Sequence, residues 1–145
     1  MPRLPGLTLG DADRIVQVAH EVAVERGYPP LAVAVVDVAG EVVVLRRADG
    51  GLPMSSRVAV AKARSALVAL KPSGQLDQLP PGIIAALQGI YGGDFVPRAG
   101  GVLVTDAGGD VVLGAVGASG ATSDQDEDAV RTAVERWQAE AGRAG

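Results

Sequence analysis

Apolar positions follow two different spacings along this chain, and the switches between them mark out its elements. In LTLGDADRIVQVAHEVAVERG, Ala12, Ile15, Ala19, Val22 and Ala23 recur at helical spacing until Gly27, and Thr8 three residues before Asp11 gives a capping-box start. LAVAVVD and EVVVLRR are dense in β-branched residues and separated by Val38, Ala39 and Gly40, which predicts a hairpin. Small residues fill a second helix from about Ser56 to Leu70, which the pre-proline restriction ends before Pro72. Residues 72–100 are broken by LPPG, YGG and FVP around one short helical candidate, IIAALQGI. GGVLVTD and DVVLGAVG predict another pair of strands. A closing helix from about Asp124 to Ala141 carries Ala129, Val130, Ala133, Val134 and Trp137 on one face.

The two hairpins share a plan. DVAGEVVVL and DAGGDVVLG each place an Asp at the strand end, a small-residue turn with Gly40 or Gly109, an acid and a β-branched run. Asp37 and Asp106 are expected to accept backbone N–H groups inside their turns. Helix, hairpin, helix, irregular helix, hairpin, helix amounts to an α+β domain, an antiparallel sheet of two hairpins flanked by helices. At 145 residues the chain fits a single domain spanning 1–145, with its core expected at 7–140.

Composition removes several classes of function. Hydrophobic residues make up 48% and aromatics 3%, so the core is built from small side chains and base-stacking platforms are not expected. A formal charge of −4 gives no basic footprint for nucleic acid or an anionic membrane. With no cysteine and one histidine, thiolate chemistry and a His-rich zinc site are excluded. No apolar run approaches a membrane span or a signal-peptide core, so a cytoplasmic protein is expected.

Four places hold candidate chemistry. GASGATSDQDEDAV, residues 117–130, is either an anion-binding loop or an ordinary helix start. The carboxylates of DQDED repel phosphate, and Ser123 with Asp126 has capping-box spacing, so the cap is favoured. Gly114, Gly117 and Gly120 leave room for another backbone, a flat neutral ligand or a neighbouring subunit. Lys62 projects with Ala59, Ala66 and Ala69 towards the core. It either pairs with a carboxylate such as Asp49 or Asp37, or acts as a desolvated base, imine former or clamp. His20 borders the apolar face of the first helix, as a half-exposed helix residue or an axial ligand to haem iron. Arg46, Arg47 and Asp49 in LRRADGG either bind a carboxylate such as a haem propionate or close the loop through a local Arg47–Asp49 pair.

The order VAVVDVAGEVVVLRRADGG, VAVAKARSAL, AGGVLVTDAGGDVVLGAVGASGATSDQDEDAV resembles the HbpS-like and GlcG-like haem-binding family, which also supplies the C-terminal domain of PduO-type proteins. The Asp49–Gly50 loop, the Ala61–Lys62–Ala63 helix core and the run Gly117, Ser119, Gly120, Asp126 carry the likeness. It implies a helix-flanked sheet of profilin-like layout, a homo-oligomer, and haem or a small molecule as ligand. It makes His20 the iron ligand, with Arg47, Gly117, Ser119 and Gly120 as cofactor-binding residues. The alternatives are a cofactor-free enzyme working by proton transfer, elimination or hydration through Lys62 and an aspartate such as Asp49, or an accessory subunit whose apolar face builds an oligomer.

Overall fold

The computed structural model describes residues 1, 2, 4 and 6–144; Arg3, Pro5 and Gly145, at the ends of the 1–145 span, lie outside the described residues. Its elements run α1 (Leu9–Glu25), β1 (Ala32–Val36), β2 (Val42–Arg47), α2 (Pro53–Ala69), a 3-10 turn (Ser73–Gln78), α3 (Pro81–Tyr91), a second 3-10 turn (Gly92–Asp94), β3 (Gly101–Thr105), β4 (Val112–Ser119) and α4 (Ser123–Ala144). The four strands form one antiparallel sheet in the order β2-β1-β4-β3, so the two hairpins meet along β1 and β4.

The hairpins are alike in atomic detail. Oδ1 of Asp37 accepts the N–H groups of Ala39 and Glu41, while Oδ1 of Asp106 accepts those of Asp110 and Val111. Gly40 and Gly109 take φ of 82° and 78°, the left-handed conformation that such turns reserve for glycine. Each hairpin also carries a register shift near its turn end, between Val35 and Val36 in one and between Val104 and Thr105 in the other. Both aspartates thus serve the turns.

The strand period of two divides the sheet into unlike faces. Val33, Val35, Val102, Val104, Val116 and Ala118 face α1 and α4, where they join Ile15, Val22, Val130 and Trp137 in the main core. The opposite face is built of Ala32, Ala34, Ala115 and Gly117, and α2 lies on it through Ala59, Ala63 and Ala66. Small residues on both sides let helix and sheet backbones come close. A Cβ on Gly117 would stand 2.1 Å from the Ala59 carbonyl oxygen and 2.8 Å from the Ala63 nitrogen. The room offered by Gly117 is taken by α2 itself.

Helix boundaries refine the sequence expectations. Thr8 accepts the Asp11 N–H, but the Asp11 carboxylate turns away and accepts Nε1 of Trp137 at 3.3 Å, so the cap is one-sided. α2 starts at Pro53 rather than Ser56, because proline is pre-set for the first helical turn and lacks only an N–H that the turn would leave unpaired. Its C-terminal turn closes with Leu70 at φ 55°. α4 is capped by Thr122, not by Ser123. The Thr122 hydroxyl accepts the Gln125 N–H and the Gln125 side chain accepts the Thr122 N–H, a full capping box one residue earlier than the Ser123–Asp126 spacing suggested.

Three ion pairs join α1 to α4: Arg14 with Glu140, Arg26 with Asp128, and Arg136 with Glu25. Hydrogen bonds from these arginines hold Glu25 and Glu140 below the ordinary 4.5 of a glutamate; Tyr28 and Arg26 together hold Asp128 below the ordinary 3.8 of an aspartate. A depressed carboxylate stabilises the fold above its ordinary pKa and loses that contribution as pH falls through its folded value. Acidification from pH 6 to 3 is therefore expected to release the α1–α4 seam before the sheet, measurable as early loss of amide protection in α1 and α4. Gly117→Ala should cost about 1–3 kcal/mol or more in denaturant unfolding, since overpacking here meets backbone rather than a movable side chain.

Candidate functional site

The end of α1, the Tyr28-Pro29-Pro30 link and the loop after β2 enclose a cavity of about 390 Å³. Its polar wall is His20, Arg46, Arg47 and Asp49, and Ala23, Val24, Pro29, Pro30 and Leu31 make it apolar elsewhere. Three expected site residues, His20, Arg47 and Asp49, are thereby brought together although 29 positions separate the first from the last. Gly27, with φ of 68°, ends α1 and turns the chain so that the two prolines close one side.

His20 is half-buried, and Nε2 lies 3.1 Å from the backbone oxygen of Arg46. A carbonyl only accepts, so Nε2 carries the proton and Nδ1 keeps its lone pair. Burial lowers the pKa of His20 below the ordinary 6.5, against the hydrogen bond to Arg46 that raises it, and the Arg46 guanidinium adds to the lowering. The imidazole is therefore neutral at pH 7. A neutral imidazole with one N–H fixed on a backbone carbonyl is the arrangement metal-ligating histidines use. Arg47 does not close the loop on Asp49; its Nη1 points to the Pro53 carbonyl at 3.4 Å and the Ser56 hydroxyl at 3.5 Å.

Tyr28 is a cavity residue that the sequence patterns did not single out. Its hydroxyl donates to Oδ2 of Asp128 at 2.5 Å, and Arg26 grips the same carboxylate. That bond raises the Tyr28 pKa and fixes the ring as a wall. The only signal was its position, an aromatic directly after the glycine that stops a helix.

Lys62 lies elsewhere, away from Asp49. It is 3% exposed, and Nζ donates to Oδ2 of Asp126, itself 2% exposed, at 3.0 Å. Neither Asp49 nor Asp37 is its partner. The shift of the capping box to Thr122 frees Asp126 from capping, and its Oδ1 accepts the Ala121 N–H instead. Burial raises the Asp126 pKa, opposed chiefly by the Lys62 charge. A wider cavity of about 810 Å³ lies beside the α4 start, lined by Asp77, Arg98, Asp124 and Glu127 among others, and neither Lys62 nor Asp126 reaches it. Gly117 and Ser119 lie on the α2 side of the sheet, and Gly120 abuts Pro30, where a Cβ would stand 2.4 Å from the carbonyl oxygen. These three do not line the His20 cavity.

A layered α+β domain thus carries a shallow cavity with an apolar floor, walled by one histidine, two arginines and an aspartate. The HbpS-like haem degrading protein model matches residues 7–135, and the chain belongs to that family. Its fold is similar to Klebsiella pneumoniae protein ORFY (25% identity, TM-score 0.84, covering 96% of this chain and 95% of that one). It is similar to HbpS (29% identity, TM-score 0.79, 94% and 93%) and to a structure described as a PduOC:Heme complex (29% identity, TM-score 0.79, 90% and 94%). No curated protein matches significantly. No helix among the described residues is long and apolar enough to cross a membrane.

Replacing Lys62 by Met leaves a buried carboxylate without its counter-charge, which typically costs 3–5 kcal/mol. The Asp126 pKa then rises further, and a group with a raised folded pKa loses stability as pH climbs through it. Lys62→Met should accordingly be least stable near pH 8 and recover as pH falls towards 5, and adding Asp126→Asn should abolish that pH dependence. Urea unfolding at several pH values reads both effects.

Proposed function

We propose that this protein binds haem, or a flat carboxylate-bearing ligand of similar chemistry, in the His20 cavity, and that it does so as a homo-oligomer. The observation that carries this is the neutral His20 ring, pinned through Nε2 to the Arg46 carbonyl and facing an apolar cavity with two guanidiniums on its rim. The residues fit the group: His20 offers a lone pair at Nδ1, and the planar donors of Arg46 and Arg47 outnumber the Asp49 carboxylate on the same wall and match propionate charge. Tyr28, Pro29, Pro30 and Leu31 supply the apolar surface.

The volume is near the lower end of the roughly 300–1,000 Å³ that small-molecule sites span, so a macrocycle seated here keeps one edge outside. Bound haem supplies an iron whose redox and oxygen chemistry follow its axial ligand and surroundings. This chain's part is to keep the imidazole unprotonated, orient it through Arg46, and neutralise the carboxylates. Membership of a haem degrading family, and a structural relative described with haem, support the choice of ligand.

Haemin titration followed by absorbance tests the proposal on the wild type, His20→Ala and the Arg46→Ala/Arg47→Ala double variant. A saturable Soret band that shifts or disappears in His20→Ala is expected, with about tenfold weaker binding in the arginine variant, about 1.4 kcal/mol. A spectrum and affinity identical in wild type and His20→Ala would overturn it. Because burial lowers the His20 pKa, the wild-type band should hold steady from pH 8 to the ordinary histidine value of 6.5 and decline only at lower pH.

A further inference from the structure

The cavity of about 810 Å³ beside the start of α4 shares no lining residue with the His20 cavity, and its walls are fixed by buried polar groups. One wall is the loop before β3. The fully buried Ser73 hydroxyl donates to the Arg98 carbonyl at 2.6 Å and accepts the Gly101 N–H at 2.9 Å, while the Arg98 N–H donates to the Val96 carbonyl at 2.9 Å. A Cβ on Gly74 would stand 2.9 Å from that of Ala99, so the 3-10 turn already lies against this loop. The other wall is the first turns of α4, held from behind by the Lys62–Asp126 pair. Pro72, Ile84, Pro97, Ala99 and Val102 make the floor apolar; Ile84 comes from α3, none of whose residues is buried.

Asp77, Asp124, Glu127, Arg98 and Arg131 stand over this floor. Two of these neutralise each other: Nη1 of Arg131 is 3.2 Å from Oε2 of Glu127, and its Nη2 is taken by Asp128 at 3.4 Å. Arg98, Asp77 and Asp124 make no ion pair among the described residues, although all three line the one cavity. A planar cation and two carboxylates are thus left open on three different elements, the loop before β3, the 3-10 turn and α4. We propose that this cavity binds a short zwitterionic peptide, with its carboxylate on Arg98, its ammonium at Asp77 and Asp124, and its apolar side chains on the floor. The Gln75 amide and the Ser123 hydroxyl, on the same walls, can serve a peptide bond. The volume lies in the upper part of the roughly 300–1,000 Å³ that small-molecule sites span, which suits a peptide better than a single amino acid. A polyanion is disfavoured by three carboxylates against two guanidiniums, one of them already neutralised. Among the described residues no three acids are placed to share a metal ion.

Titration of the full chain with dileucine, its N-acetyl form and its C-terminal amide, followed by backbone amide chemical shifts, tests this on the wild type, Arg98→Ala and the Asp77→Asn/Asp124→Asn double variant. All three positions are exposed, so folding is preserved, and circular dichroism checks it. Saturable shifts at residues 73–77, 97–99 and 123–131 are expected, with about tenfold weaker binding of either blocked form. Arg98→Ala should bind dileucine and its amide equally, and the double variant should bind dileucine and its acetyl form equally, each keeping its discrimination at the other end. Variants that weaken all three ligands alike overturn the proposal, because a merely structural role has that effect. No saturable shift at millimolar dileucine overturns it as well. So do shifts confined to α1 and the loop after β2, which place the peptide in the His20 cavity. Cadaverine, a diamine without a carboxylate, bound as tightly as dileucine overturns the zwitterion in favour of a plain amine site.

Discussion

The pair between Lys62 and Asp126 is the contact on which the layering depends. Lys62 starts on α2, on one side of the sheet, and Asp126 sits in the first turn of α4, on the other. To connect them the lysine passes the start of β3 where no side chain can stand. A Cβ on Gly100 would meet Lys62 Cδ at 2.7 Å and Nζ at 2.8 Å, and one on Gly101 would meet the Lys62 carbonyl at 2.1 Å. Two glycines, one lysine and one aspartate therefore form a single steric and electrostatic unit. Burying both charges is costly, and removing either partner would leave the other charge unpaired between the layers.

The two faces of the sheet are held by different physics. Against β1 and β4, α2 is seated by close contact of small residues, which tolerates almost no change of volume. Valines and one tryptophan pack α1 and α4, and solvent-facing ion pairs that respond to pH and salt reinforce them. The His20 cavity sits at the rim of this second, softer layer. Its wall residue Tyr28 is attached to α4 through Asp128, so the cavity takes its shape from the seam between the helices as well as from the loop after β2.

Much of this was legible from residue order. Periodicity placed α1, α4 and both hairpins, and the repeated Asp-to-Gly turn assigned Asp37 and Asp106 to their backbone roles. The inward direction of Lys62 followed from helical phase, but its partner did not. Four carboxylates crowd residues 124–128, and which one points inward depends on whether Thr122 or Ser123 caps α4, a one-residue difference that rotates the helix by about 100°. Residue order singles out His20 and the Arg46–Asp49 loop as two separate candidates, and the fold brings them to one cavity. Gly117 read as open space because sequence gives the absence of a side chain without saying what fills it. α3 was recognised as a helix, but its exposure was invisible, since an apolar pattern says what a segment prefers and not whether the chain can satisfy it.

The chain has a single tryptophan, and its place gives the molecule a built-in optical probe. Trp137 is 7% exposed, packed between α1 and α4 and hydrogen-bonded to Asp11. Its fluorescence accordingly samples one interface of the protein and is blind to α3 and to the outer side of α2. Emission that reddens while far-ultraviolet dichroism persists would be a signature of helices parting from an intact sheet, observable without any label.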